Sequence, residues 1–299
     1  MSSDSADRYE HLKDQAWQAI NAGELHRALE ILDQALTLAR ELADPVLVDR
    51  TLCGRASVLV EVGRAAEVKP DLRRLLLKAA DTESSFLASY TLARAYDVDG
   101  DAEKALFYAQ IARRHAAELR QPEQLAASHN LLGNLMLLKC DFEGAFREFQ
   151  ASMGQLPADA HLRRAIVLDN LGYCHACKGR LERAFPALFE SVRICRRLGA
   201  RSYEAIARLT LSYTYLLAGR WREALRHGRR SLALAEGVED RSTIKYVLFV
   251  LGEAEKGAGN AFAARFYFNR LQEEFYPNAP NVADLLLLLD VQNMINLKA

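Results

Sequence analysis

Proline and glycine are scarce in this sequence, which holds 7 prolines and 16 glycines in 299 residues. A chain of many strands and tight turns needs more of both, so these counts argue against an all-β fold. Alanine, leucine, arginine and glutamate dominate instead, and these residues favour the helix. The composition therefore predicts an all-α protein.

An excess charge of either sign is also missing, because 39 Lys and Arg balance 39 Asp and Glu. No overall electrostatic field would attract DNA, RNA or an anionic membrane. No run of 18 apolar residues occurs, and residues 1–7 are polar with no apolar signal-peptide core behind them. We expect residues 1–7 to form a disordered tail of a cytoplasmic protein with no membrane partner, and we expect protein rather than nucleic acid as its partner.

Catalytic and metal-binding motifs are absent as well. The sequence has no Gly-rich phosphate loop, no HExxH, no GxSxG and no EF-hand loop. The seven histidines are scattered, and none has another histidine or a cysteine four residues away. We therefore predict a protein that is not an enzyme and that binds no cofactor and no metal.

One short cysteine motif leaves alternatives open. Cys174 and Cys177 form a CxxC pair, but Lys178 stands where haem attachment would need histidine, and no second pair completes a zinc site. Small packing residues are the main interpretation. A redox-sensitive pair and a metal site are the alternatives.

A repeat of 37 to 40 residues dominates the chain. Each unit carries apolar residues at helical spacing, a turn, and then a small or apolar residue, which is in turn Ala28, Val68, Ala105, Ala145, Ala184, Ala224 and Ala264. Six of the turns hold a glycine five residues earlier, namely Gly23, Gly63, Gly100, Gly179, Gly219 and Gly259. Glycine suits the left-handed position that ends a helix, and a small residue lets two helices cross closely. The pattern predicts about seven helical hairpins over residues 8–276, stacked into a solenoid.

The hairpins resemble the tetratricopeptide repeat. The fifth unit has Leu171-Gly172-Tyr173 followed by Gly179, Ala184 and Leu188, and the fourth and seventh units have similar patterns. The length of about 40 residues is similar to the subclass found in sensor domains of bacterial regulators and in G-protein-signalling adaptors. This resemblance implies a right-handed superhelical solenoid.

The resemblance also implies a binding surface, because the first helix of each hairpin lines the concave groove in this family. Mapping the family's groove positions onto this sequence gives Arg50, Tyr90, Arg94, Asp97, Asn130, Asn134, Asp169, Asn170, Tyr173, Tyr213, Tyr246, Phe249 and Glu253. Amides can bond to a peptide backbone, aromatic rings can bury its anchors, and charges can pair with its side chains. We expect another protein or a peptide as the partner.

Residues 277–299 restart the chain after Pro277 and Pro280, and they predict a capping helix over about Val282 to Leu297. Its five consecutive leucines are apolar on every side, whereas a cap needs one apolar face. A deeply wedged helix is one interpretation. The other is an interface for a partner or for a homodimer through Leu285, Leu286, Leu288 and Leu289.

A basic flank is predicted on the convex side, on second helices. It comprises Arg193, Arg196, Arg197, Arg201, Arg226, Arg229 and Arg230. A solvated surface is the simplest interpretation, and an acidic partner is the alternative. No aromatic residues interleave with these arginines to stack on bases, which disfavours nucleic acid.

The predicted function is that of an adaptor, scaffold or regulatory subunit that holds a segment of a partner protein in the groove. The alternative is a sensor that binds a short signal peptide or small ligand and transmits a change of the superhelix to another chain.

Overall fold

The computed structural model describes residues 3–291 and 295–298, and all regular structure within them is helical. The helices that it describes are α1 Ser3–Ala22, α2 Leu25–Glu41, α3 Pro45–Glu61, α4 Ala65–Lys78, α5 Thr82–Val98, α6 Ala102–Leu119, α7 Pro122–Leu138, α8 Phe142–Gln155, α9 His161–Cys177, α10 Leu181–Arg197, α11 Arg201–Leu217, α12 Trp221–Glu236, α13 Arg241–Gly257, α14 Ala261–Phe275 and α15 Val282–Leu288. Helices α1 to α14 follow one another as seven pairs. The predicted all-α array of helical hairpins is confirmed.

Two compact units make up the chain, residues 1–135 and 136–299, here called unit 1 and unit 2. Within unit 1, each helix from α1 to α6 packs on the next, and the first helices α3 and α5 also pack on each other. Within unit 2, the same holds from α9 to α14, and α9, α11 and α13 lie side by side. Within each unit, the first helices therefore lie on one face and the second helices lie behind them.

The residues that define the repeat fill the roles that their chemistry predicts. The six turn glycines have φ between 68° and 82°, the left-handed region in which only glycine is unstrained. The small residues at the crossing points, from Ala28 to Ala264, are all buried. In unit 2 a buried serine adds a bond between paired helices, since Ser191 Oγ donates to the Ala165 carbonyl at 2.7 Å and Ser231 Oγ to the Ala205 carbonyl at 2.6 Å.

The remaining turn, between α7 and α8, has no glycine. Cys140 occupies its left-handed position with φ of 57°. A Cβ atom makes this conformation costly. We expect Cys140→Gly to be more stable than Cys140→Ala by about 1 kcal/mol. Urea unfolding of both variants measures the difference, and the alanine variant controls for loss of the thiol. Equal stability would show that the turn carries no strain.

Two predictions about the ends of the chain were wrong. Helix α1 already begins at Ser3, within the predicted disordered tail. Tyr9 and Leu12 of α1 pack against Ala35 and Leu38 of α2, and this packing supports the helix from its first turns. At the other end α15 stops at Leu288, far short of Leu297.

A side chain from α13 stabilises the C-terminus of α15. Lys256 Nζ donates to the carbonyls of Leu286 and Leu289, both at 2.8 Å, and a cation is favourable at a helix C-terminus. The helix packs on α14, where Arg265 pairs with Asp284 at 2.7 Å. It is not deeply wedged.

The leucines of α15 remain largely uncovered. Leu288 is 82% exposed, Leu285 and Leu289 are also exposed, and Leu286 is half-buried. The interface predicted for these residues stays a prediction.

None of the described helices is long and apolar enough to cross a membrane.

Candidate functional site

The first helices of unit 2 present an aromatic face. Tyr173 of α9 and Tyr213 of α11 have ring centroids 6.2 Å apart. Both side chains lie on this face because α9 and α11, which are both first helices, pack side by side. Burial raises the pKa of both phenols, so both hydroxyl groups stay neutral at physiological pH.

A second segment of the same chain, residues 295–298, lies against this face. Leu297 is only 5% exposed. The Tyr173 hydroxyl donates to Asn296 Oδ1 at 2.9 Å and accepts from the Leu297 backbone N–H at 2.9 Å. Asn296 Nδ2 in turn donates to the Leu137 carbonyl at 2.7 Å. One tyrosine therefore holds both the main chain and a side chain of the segment.

An ion pair holds the next residue of the segment. Lys298 Nζ lies 2.7 Å from Asp169 Oδ2 and 5.8 Å from the centroid of the Tyr173 ring. Asp169 is 4% exposed, and its Oδ1 has no hydrogen-bond partner among the described residues. A buried carboxylate needs a counter-charge and donors for its oxygens. Lys298 supplies the charge but engages only one of the two oxygens.

Two cavities flank the segment within unit 2. One, of about 400 Å³, begins at Ile295 and is lined by Phe142, Cys177, Leu181, Tyr213 and Leu217. The other, of about 280 Å³, begins at Leu297 and Lys298 and is lined by Ile206, Thr210, Asp240, Thr243 and Tyr246, among others. Apolar and polar side chains line both cavities together, a mixture that suits the side chains of a peptide. The face can therefore accommodate more chain than these four residues.

Four of the predicted groove residues come together around this segment, namely Asp169, Tyr173, Tyr213 and Tyr246. The other three from unit 2 are buried away from solvent. Asn170 and Phe249 are buried, and Glu253 pairs with Lys256 at 2.7 Å. Burial raises the pKa of the Glu253 carboxyl, and Lys256 opposes this effect.

The groove residues predicted in unit 1 are half-buried, and they are Arg50, Tyr90, Arg94, Asp97, Asn130 and Asn134. Its two arginines pair with acids of neighbouring hairpins. Arg50 lies 2.7 Å from both Asp81 and Glu83, and Arg94 lies 3.2 Å from Glu61. These guanidinium groups connect first helices to one another. Burial raises the pKa of the Asp97 carboxyl.

The CxxC pair lies close to the segment, because Cys177 and Ile295 line the same cavity. Burial raises the pKa of Cys174 to about 12 and that of Cys177 to about 11. Both thiols therefore stay protonated at physiological pH, whereas redox exchange and metal binding require the thiolate. The described residues contain no group of three or more His, Cys, Asp or Glu placed to hold a metal ion.

The basic flank is only partly as predicted. Arg201 opens α11, a first helix, so the prediction that it lies on a second helix was wrong. Gly199 ends the preceding helix with φ of 68°, which puts Arg201 in the next hairpin. Arg193 pairs with Glu190, and Arg229 pairs with Glu255 at 2.8 Å. Both acids lower the net positive field of the flank.

Sequence reasoning missed the segment itself. The sequence predicts a capping helix as far as about Leu297, and Asn296-Leu297-Lys298 has no motif that indicates a different conformation. The signal that could have raised the question is the buried Asp169, an acid on a face lined with apolar residues and in need of a cation. Only the folded chain shows that Lys298 provides it.

Removing the Tyr173 hydroxyl should release the segment. In Tyr173→Phe the ring stays, but Asn296 and the Leu297 N–H lose their partner, a loss of about 2 kcal/mol. We expect hydrogen exchange at the Leu297 amide to speed up about 30-fold.

The matched control is Tyr215→Phe, a buried tyrosine of α11 that stacks on His227. This control should leave the Leu297 amide unchanged. An unchanged rate in Tyr173→Phe would mean that the hydroxyl does not hold the segment.

Comparison with known proteins finds a family model that matches part of the chain. Residues 163–237, from α9 to the end of α12, match the family model described as tetratricopeptide repeat. A comparison with curated protein sequences found no match.

Solved structures resemble the fold over most of its length. A Rap protein complexed with competence and sporulation factor has a TM-score of 0.71 at 15% identity, covering 93% of this chain and 75% of that one. BtubC from P. vanneervenii has a TM-score of 0.55 at 20% identity, with 73% and 93% covered. A signal transduction ATPase with a tetratricopeptide repeat sensor, from Pyrococcus horikoshii, has a TM-score of 0.63 at 13% identity, with 91% and 42% covered. These likenesses show the fold.

Proposed function

We propose that this chain, whose residues 163–237 match the tetratricopeptide repeat model, is a non-catalytic adaptor that holds an extended segment of a partner protein against the first helices of unit 2. One observation carries the proposal. The face already binds an irregular stretch of polypeptide, residues 295–298, through a backbone N–H, an amide side chain and a buried ion pair. These are the contacts by which a groove recognises a peptide.

The chemistry of the face favours a peptide over a small metabolite. Tyr173 binds a main-chain amide and Asp169 binds a basic side chain, and both groups are common in polypeptides. The two cavities lie on either side of the segment, as a chain running along the helices requires. A peptide that fills both would bury more apolar surface than residues 295–298 do, and apolar burial is the main source of affinity.

A sensor of a short peptide or small ligand is the second candidate. The similar fold of a Rap protein complexed with competence and sporulation factor favours it, because that structure pairs a similar array of helices with a separate factor. In this chain the output would pass to another protein. Both candidates use the same face of unit 2, and they differ in the size of the ligand.

Affinity capture from native extract tests the adaptor. The groove variant combines Asp169→Asn with Tyr246→Ala, which removes one charge and one ring beside the segment. The matched control is Arg193→Ala on α10, behind the groove. We expect a protein retained by the wild type and by the control to fall at least tenfold with the groove variant, as measured by quantitative mass spectrometry.

Circular dichroism of all three proteins verifies that they are equally folded. A partner retained equally by the groove variant would contradict the proposal. If no protein is retained but a fraction of small peptides is, and the groove variant loses it, the sensor is favoured.

A further inference from the structure

The segment 295–298 has the features of a ligand rather than of a structural strut. Its residues are irregular in conformation, and they reach the face through specific polar contacts. Six residues separate Ile295 from Leu288, the last residue of α15. The segment is therefore tethered close to a site that suits polypeptide.

We propose that residues 295–298 are an internal ligand, which occupies the groove until a partner segment with an amide residue, an aliphatic residue and a basic residue in succession displaces them. This inference rests on the proposed function, and it adds the chemistry of the partner. The pattern is read from the contacts of Asn296, Leu297 and Lys298.

The amide position follows from two bonds of opposite direction. Asn296 Oδ1 accepts from the Tyr173 hydroxyl, and Asn296 Nδ2 donates to the Leu137 carbonyl. Only a side chain with both an acceptor and a donor satisfies the two groups, so Asn or Gln fits and a carboxylate would repel the carbonyl. The aliphatic position follows from the burial of Leu297.

The basic position shows that the internal ligand is not the best one. Asp169 Oδ1 lies buried with no hydrogen-bond partner among the described residues, while Oδ2 takes the Lys298 ammonium. A guanidinium group can bond to both oxygens of a carboxylate at once, which an ammonium at one oxygen does not do. A partner segment with Arg at this position therefore binds more tightly than Lys298.

Displacement is possible because residues 295–298 occupy only part of the face. The internal ligand gains from a short tether, which gives an effective concentration in the millimolar range. A partner has no such advantage, but it can extend into the cavity beyond Ile295 and into the one that reaches Tyr246. A partner segment therefore binds only if its affinity exceeds the advantage that the tether gives to residues 295–298. Segments that bind weakly do not displace them.

The test uses a fluorescein-labelled synthetic peptide of residues 290–299 as probe and fluorescence polarisation as readout. It compares the full wild-type chain with a tail variant that combines Asn296→Ala, Leu297→Ala and Lys298→Ala. We expect the tail variant to bind the probe about 10-fold to 100-fold more tightly, because its own segment no longer competes. A probe with Arg in place of Lys298 should bind the tail variant about fivefold more tightly than the original probe. Adding Asp169→Asn to the tail variant should remove this preference.

Several outcomes would overturn the inference. If the wild type and the tail variant bind the probe equally, residues 295–298 do not compete. If the tail variant is less stable and binds no better, the segment is a structural cap. If the wild type sediments as a dimer and the tail variant as a monomer, the segment fills the groove of a second copy, and the ligand is not internal.

Failure of the inference and failure of the proposed function give different results. A pool of random ten-residue peptides is offered to the tail variant, with and without Tyr246→Ala. If the probe fails but the pool binds in a manner that depends on Tyr246, only the internal ligand is wrong. If neither the probe nor the pool binds, the groove function falls as well.

Discussion

Replacing Gly252 with alanine is expected to lower the free energy of unfolding of unit 2 by about 2 kcal/mol. Gly252 lies on α13 where α14 crosses, and an added Cβ would meet three atoms of the Phe268 ring at 2.2, 2.6 and 2.7 Å. Phe268 is completely buried, so the ring has no free space into which to move. The two helices must separate, which destabilises the unit by about 3 kcal/mol. The higher helix propensity of alanine offsets about 1 kcal/mol of this loss.

The chain offers a matched control. Gly154 also lies in a helix, α8, and an added Cβ there meets nothing within 4 Å. Gly154→Ala should raise the free energy of unfolding by up to about 1 kcal/mol. Urea unfolding followed by circular dichroism should therefore separate the two variants by about 3 kcal/mol. If Gly252→Ala were as stable as Gly154→Ala, close approach of α13 and α14 would not limit the packing.

Acidification between pH 6.5 and 4 is expected to destabilise unit 2 by up to about 3 kcal/mol through His227. This histidine is 7% exposed and stacks on Tyr215 at 5.4 Å. Burial first, and then the charges of Arg226 and Arg208, lower its pKa to about 4. In the unfolded chain the pKa returns to its ordinary value near 6.5, so the unfolded state takes up the proton first. The stabilisation is complete above pH 6.5 and is lost as the pH falls towards 4.

His227→Gln isolates this contribution, because glutamine keeps a polar side chain of similar size that does not titrate. Other groups titrate in the same range in both proteins, so the difference in unfolding free energy between them should shrink or reverse on going from pH 7 to pH 4.5. Parallel pH profiles for the two proteins would mean that the buried imidazole is not the cause.

The hairpins could be predicted because their rules are local. Gly179 ends α9 for a reason that lies in its own backbone, and Ala184 is small because of the helix directly before it. The left-handed conformation of Cys140 could not be predicted in this way, since no glycine or asparagine marks this turn.

The ends of the elements and the state of the groove could not be predicted, because they depend on distant contacts. Helix α15 ends where Lys256, 30 residues away, binds its last carbonyls. The position of a residue within the repeat gave the face on which Arg50 lies, but not that its guanidinium already binds Asp81 and Glu83. The same position in the repeat places Tyr173 in the groove, and no local pattern indicates that Leu297 meets it there.

The unusual turn at Cys140 has a consequence for spectroscopy. Its side chain is exposed, and its sulfur lies 3.9 Å from Asn296 Nδ2. By contrast, burial raises the pKa of Cys53, Cys174, Cys177 and Cys195 to between about 11 and 12, which slows their alkylation at neutral pH. A maleimide dye would therefore attach selectively at the edge of the groove without any engineered residue. Its emission would change as the neighbouring polypeptide arrives or departs, so the native sequence carries its own attachment point for an optical reporter.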